Sequence, residues 1–105
     1  MTFRTYHVQL IGTYNEGMGY IWYVFENLEP MNDPDIKYIA CVRLPNWNND
    51  TFCEGDIGYV TVREVIEGED KWFDGKDLHF YNYTMLIFLK FKHEKMKIEK
   101  EIVLD

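Results

Sequence analysis

Two cysteines, three histidines and six clustered carboxylates are the residues of this chain that could cut, transfer or hold a ligand. Nucleophilic catalysis needs a serine, cysteine or threonine hydrogen-bonded to a base. The chain contains no serine. Cys53 and His79 both fall in loop-like stretches and could meet. However, Glu54 and Asp56 flank Cys53, whereas a reactive thiolate needs positive surroundings. Glu64, Glu67, Glu69, Asp70, Asp74 and Asp77 crowd one polar segment. A carboxylate pair working as acid and base needs one member buried or held by a partner, and six in a polar loop are normally solvated.

Metal chemistry fares no better. Cys41, Cys53, His7, His79 and His93 include no pair at the close spacing of a zinc site. Asp70-Lys71-Trp72-Phe73-Asp74-Gly75 resembles the start of a calcium loop, with Asp70, Asp74 and Gly75 in the first, fifth and sixth places. Trp72 fills the third place, where an oxygen ligand is needed, and Tyr81 the twelfth, where a bidentate glutamate belongs. No glycine pattern for cradling phosphates is present. The chain therefore reads as a non-enzyme without metal or cofactor.

What remains is aromatic. Trp47, Phe52, Trp72 and Phe73 sit in polar stretches rather than in alternating ones. Aromatic side chains in loops anchor interfaces. Alternatively, the loops fold over the end of a barrel and the rings plug it. Trp72 and Phe73 are adjacent, so at most one can point inward if the segment is extended. The expected binding set is Trp47, Phe52, Glu67, Glu69, Asp70, Trp72, Phe73 and Asp74.

These residues need a scaffold, and the alternation of apolar and polar residues predicts strands. Thr5 to Tyr14 sets Tyr6, Val8 and Leu10 on one face and His7 and Gln9 on the other. Asn15 to Gly19 is a turn by composition. Tyr20 to Asn27 is apolar on both faces, as in a barrel wall or a central strand. Pro30 and Pro34 exclude regular structure between Leu28 and Asp35. Ile36 to Leu44 alternates cleanly. Pro45 to Asp56 is a long polar loop. Gly55 and Gly58 read as turn or close-approach residues leading into a strand from Ile57 to Val65. In Tyr83 to His93, Met85, Ile87, Leu89 and Phe91 form the inward set, with Leu86 and Phe88 outward. Lys92 to Asp105 fits a last strand better than a short helix.

The sum is an all-β fold, a small barrel or compact sandwich of about five or six mainly antiparallel strands, one domain over residues 1–105. Closure is favoured, because an open sheet with an apolar edge like Tyr20 to Phe25 invites aggregation. Aromatics make up 17% of the chain, which suits pleated, half-buried surfaces.

The 11 basic residues are outnumbered by 18 acidic ones, for a net charge of -7. A phosphate-backbone binder needs concentrated lysine and arginine, so nucleic acid is the less favoured partner and a basic protein surface the more favoured one. Self-association through an exposed edge strand is open. No secretory leader and no apolar stretch of membrane-spanning length appear, so a cytoplasmic location is expected. The cysteines are then expected as reduced thiols.

The segments Gly55-Asp56-Ile57-Gly58-Tyr59, Asp70-Lys71-Trp72-Phe73-Asp74-Gly75 and Tyr81-Asn82-Tyr83-Thr84 resemble small proteins of bacteriophages and mobile elements of gut-type bacteria. The resemblance covers about Phe52 to Phe91 and carries no activity. It implies a small accessory protein, cytoplasmic in an infected or carrier cell. The architecture is also similar to OB-fold and SH3-like barrels, by analogy alone. The expected function is binding of another protein through the acidic, aromatic loops, in the sharpest form blocking a host nucleic-acid-binding protein. The alternative is an OB-like binder of single-stranded nucleic acid, stacking bases on Tyr20, Trp22, Tyr23 or Tyr59 with Lys90, Lys92 and Lys95 on phosphates.

Overall fold

A computed structural model describes residues 3–31, 34, 36–45, 52–71 and 83–94. Five strands, β1 (Phe3–Gly17), β2 (Tyr20–Asn27), β3 (Tyr38–Arg43), β4 (Ile57–Glu64) and β5 (Tyr83–His93), close into a barrel in the order β1-β2-β3-β5-β4. The all-β expectation holds, and barrel prevails over sandwich. All pairings are antiparallel except β3 with β5, which is parallel because β5 returns between β3 and β4. The strand expected over 92–105 lies outside the described residues beyond Glu94.

The β1–β2 hairpin turns through Met18 and Gly19, with φ of 56° and 87°. Positive φ at both central residues is the two-residue turn whose twist matches the flanking strands. The strands thus run further into the expected Asn15–Gly19 turn than composition suggests. β1 pairs with β4 over Phe3 to Gln9 and with β2 over Val8 to Gly17, with register shifts at Leu10/Gly12 and Asn15/Gly17. Such bulges bend a long strand, so that one strand can serve two neighbours at a barrel corner.

The interior holds Val8 and Leu10 from β1, Tyr23 and Phe25 from β2, Ile39 and Cys41 from β3, Val60 and Val62 from β4, and Leu86, Phe88 and Phe91 from β5. The inward set expected for β5 is therefore out of phase: Leu86 and Phe88 point in, and Ile87 points out. A register shift opposite Thr61/Val62 leaves Leu89 unopposed and restores the phase at Phe91. Sequence alternation misled here because the outer side of β5 is also apolar and buried at that point. Trp22, Val24, Ala40, Val42 and Ile87 form this second buried cluster on the outer face of β2, β3 and β5, flanked by Ile11, Tyr14, Tyr20, Leu44 and Val65. The wall-strand expectation for Tyr20 to Asn27 is met in full. Cys41 is a free thiol in the interior, and burial pushes its pKa well up, which suits an inert core residue.

Two glycines do the work expected of them at the entry to β4. Gly55 has φ of 94°. Gly58 is fully packed instead: a Cβ there would collide with the Lys92 carbonyl oxygen and stand 2.8 Å from the Phe91 ring.

Candidate functional site

A groove indents the described surface where β1 outruns β2. The chain leaves β2 at Asn27, and this buried side chain steers the exit. Its Nδ2 donates to the Ile36 carbonyl at 2.9 Å, and its Oδ1 accepts the Glu29 N–H at 3.1 Å. That side-chain-to-backbone bond two residues on is an Asx turn. The departure of the chain leaves a groove of about 550 Å³ lined by Arg4, Thr5, Tyr6, His7, Asn27, Glu29 and Tyr59.

His7 is the centre of this region. Its Nδ1 lies 3.0 Å from Glu29 Oε2 and its Nε2 3.1 Å from Glu94 Oε2. A protonated ring donates to both carboxylates, a neutral one to one only. Tyr59 stacks on the imidazole with ring centroids 4.8 Å apart. One ring thus ties β1 to the β2–β3 loop, to the end of β5 and to β4. The two carboxylates sit on opposite sides of the imidazole and do not converge on a point. Among the described residues no group of three His, Cys, Asp or Glu side chains could hold a metal ion.

The outer face of β1, β4 and the second half of β5 is a grid. Thr5, Thr61 and Lys90 form one row, and His7, Tyr59 and Lys92 the next. Phe3, Ile57 and Tyr59 are exposed on it. Thr5 and Thr61 share a hydroxyl hydrogen bond of 3.0 Å.

The expected loop residues have different fates. Phe52 is turned inward, as in the plug alternative. Its ring centroid lies 4.7 Å from Phe91 and 4.9 Å from Tyr23, with Phe88 and Phe25 beyond. Glu69, in a single 3-10 turn (Glu69–Lys71) after β4, grips Arg63 with both oxygens, at 2.8 and 2.6 Å, and accepts the Ile66 N–H at 2.9 Å. A two-bond fork of this kind is among the stronger ion pairs. Arg63, and then the Ile66 N–H, hold the Glu69 carboxyl below the usual carboxylate range. Glu67 is exposed. Asp70 falls in the 3-10 turn, and Trp47, Trp72, Phe73 and Asp74 lie outside the described residues. So do the calcium-like run past Lys71 and His79.

The turn that seats Phe52 has its own anchor. Asp56 Oδ2 accepts the Cys53 N–H at 3.0 Å and lies 3.0 Å from His93 Nε2. Hydrogen bonding by the Cys53 amide, then by His93, lowers the Asp56 carboxyl. The turn is joined to β1 by Gly55 N–H to Leu10 C=O and Leu10 N–H to Asp56 C=O. Cys53 Sγ is 3.7 Å from Asp56 Oδ1. This is not a nucleophile–base pair: the carboxylate stands between thiol and imidazole, so His93 is not placed to take the thiol proton.

Both depressed carboxyls lower their pKa on folding. Their contribution to stability is present above the unfolded carboxylate range and is lost as pH falls through the folded values. The melting temperature should therefore drop progressively below about pH 4. The double variant Asp56→Asn, Glu69→Gln should start lower and show a shallower acid slope in a thermal melt series; an unchanged slope would assign it to other carboxylates.

Sequence alternation turned His7 outward but gave no sign of the groove. Glu29 and Glu94 are 22 and 87 residues away from His7 in the chain, and only closure of the barrel brings them together. No helix among the described residues is long and apolar enough to cross a membrane. No protein-family model matches the chain, and no curated protein or solved structure matches it either.

Proposed function

We propose that this barrel is a non-enzymatic accessory protein that binds another protein. The observation that carries this reading is Tyr59, exposed on the outer face of β1 and β4 and lining the groove, with Ile57 and Phe3 exposed further along the same face, on a barrel whose opposite outer face is buried. Exposed aromatics at the rim of a cleft are the residues on which interface energy concentrates. The loop residues Trp47, Glu67, Trp72, Phe73 and Asp74 extend the same reading. The net charge of -7 favours a basic partner. In its narrowest form the partner is a nucleic-acid-binding protein of a host cell, occupied and inhibited by the acidic barrel.

Wild type and Tyr59→Glu, each immobilised, should be challenged with a bacterial lysate. A protein retained by wild type and released by Tyr59→Glu is the expected result. Trp47→Ala and Trp72→Ala report on the loops in the same format. Retention by all the variants alike would remove both surfaces as the contact.

The second reading, an OB-like nucleic-acid binder, is supported by Tyr59 lying beside Lys92, with Lys90 in the next row. Against it, OB-folds present the face of strands 2 and 3 to oligonucleotides. Here Trp22, Val24, Ala40 and Val42 on that face are buried, as is Tyr23. Titration with a single-stranded oligonucleotide at about 50 mM salt separates the readings: quenching of tyrosine fluorescence that Tyr59→Glu abolishes would favour nucleic acid.

A further inference from the structure

We propose that the edge of β1 between Phe3 and His7, which no described strand covers on the β2 side, takes an extended, basic segment of the partner as an added strand. This rests on the protein-binding reading above and gives the partner its form at that site.

The backbone directions follow from the ladder. The Leu10 N–H donates to the Asp56 carbonyl on the β4 side, and strand groups alternate sides. Arg4, Tyr6 and Val8 therefore direct their N–H and C=O groups to β4, which pairs with all three. Phe3, Thr5 and His7 direct theirs the other way. On that side β2 reaches only as far as the Leu28 N–H, which donates to the His7 carbonyl at 2.9 Å. The β1–β2 register begins at Val8 opposite Asn27. Among the described residues no strand pairs with Phe3 or Thr5 on this side. The groove occupies the place where β2, continued straight, would have run.

An unpaired strand edge is a template for another strand. Strand addition draws affinity from main-chain hydrogen bonds and selectivity from contacts to alternate side chains. Here an added strand would lay alternate residues toward His7 and Tyr59 on one face and toward Arg4 and Tyr6 on the other. Arg4 and Glu29 offset one another along the groove, so the local lining selects weakly by charge. The charge of -7 on the whole chain selects at longer range. It draws basic segments and sets two copies of this chain against each other, which argues against self-pairing at the same edge.

The test uses the full chain and synthetic peptides of about ten residues, one alternating lysine and valine and one alternating glutamate and valine. Binding is read by anisotropy of the labelled peptide, and backbone protection by amide exchange. The lysine peptide should bind, slow exchange at Thr5 and His7, and bind at least about tenfold more tightly than the glutamate peptide. Thr5→Pro removes an N–H on this edge and no backbone bond to β4, a placement proline tolerates; the hydroxyl bond to Thr61 that it also removes is lost equally in Thr5→Ala. It should keep the folded circular dichroism spectrum and weaken the lysine peptide by about tenfold or more. Thr5→Ala, which keeps the N–H, should bind as wild type does.

Failure of the lysine peptide to bind at about 1 mM, binding indifferent to Thr5→Pro, or binding without protection at Thr5 and His7 would each overturn the inference. So would a dimer seen by light scattering that Thr5→Pro dissociates, which would give the edge to a second copy. A lysate partner lost by Tyr59→Glu but kept by Thr5→Pro would remove strand addition alone and leave the protein-binding reading standing.

Discussion

Phe52→Ala is expected to lower stability by about 2–3 kcal/mol, at or just below the lower limit for truncating a fully buried phenylalanine, because the ring is only half-buried. In a chain of this size the melting temperature should fall by about 10–20 °C. The ring closes one mouth of the barrel against Tyr23, Phe25, Phe88 and Phe91, and its loss opens a cavity that four aromatic neighbours cannot fill without leaving their own contacts. Phe52→Leu should recover more than half of the loss, since it refills volume without the edge-to-face geometry. A melt of Phe52→Ala within about 2 °C of wild type, together with lost partner binding, would instead make Phe52 an interface anchor.

Gly58→Val is expected to be at least as damaging, by about 3 kcal/mol or more, toward or beyond the upper end of overpacking. The reason is contact, not backbone conformation. Any Cβ at this position meets the Lys92 carbonyl and the Phe91 ring. A carbonyl within the β4–β5 ladder cannot move aside as a flexible side chain can. Gly55 is the control. It has φ of 94°, yet a Cβ there meets nothing within 4 Å, so Gly55→Ala should cost about 1–2 kcal/mol from the left-handed conformation alone. Chemical denaturation of the two variants should therefore rank Gly58→Val well below Gly55→Ala. The reverse order would mean that β4 and β5 do not approach as closely as described.

These contrasts show where the fold was legible in the sequence. Strand existence was readable because alternation in Thr5 to Tyr14 and Ile57 to Val65 reports one buried side each, and because Ile36 to Leu44 alternates too, although Ile39 to Val42 is buried on both sides. Tyr20 to Asn27 was readable as a wall strand because neither face was polar. The phase of β5 was not, since Leu86 to Phe91 is apolar on both sides and a bulge changes its phase midway. Turn chemistry gave Gly55 and Gly58 correctly as a pair, but only the packed barrel distinguishes a φ requirement from a contact requirement.

The candidate site was less legible. Phe52 looked like a contact residue because it sits in a polar loop; its inward turn depends on Asp56 reaching both Cys53 and His93, a tertiary event. Glu69 looked like one of several solvated acids, and the fork with Arg63 gives it a structural duty. His7, Glu29 and Glu94 carried no local signal, being distant in the chain. The edge of β1 that no described strand covers was hidden for a related reason: Asn27 bends the chain away before β2 can cover it.

The second buried cluster, on the outside of β2, β3 and the start of β5, divides the barrel wall into two territories. Along β2, Trp22, Tyr23, Val24 and Phe25 are buried without a break, so no substitution there leaves packing untouched. On β4 the pattern alternates between buried and exposed or half-buried positions, and Tyr59 or Thr61 can change with little effect on the interior. A lineage of such barrels would hold β2 and β3 nearly constant as foundation. New partners would be acquired by rewriting the other half of the circumference, where β1, β4 and the end of β5 face water.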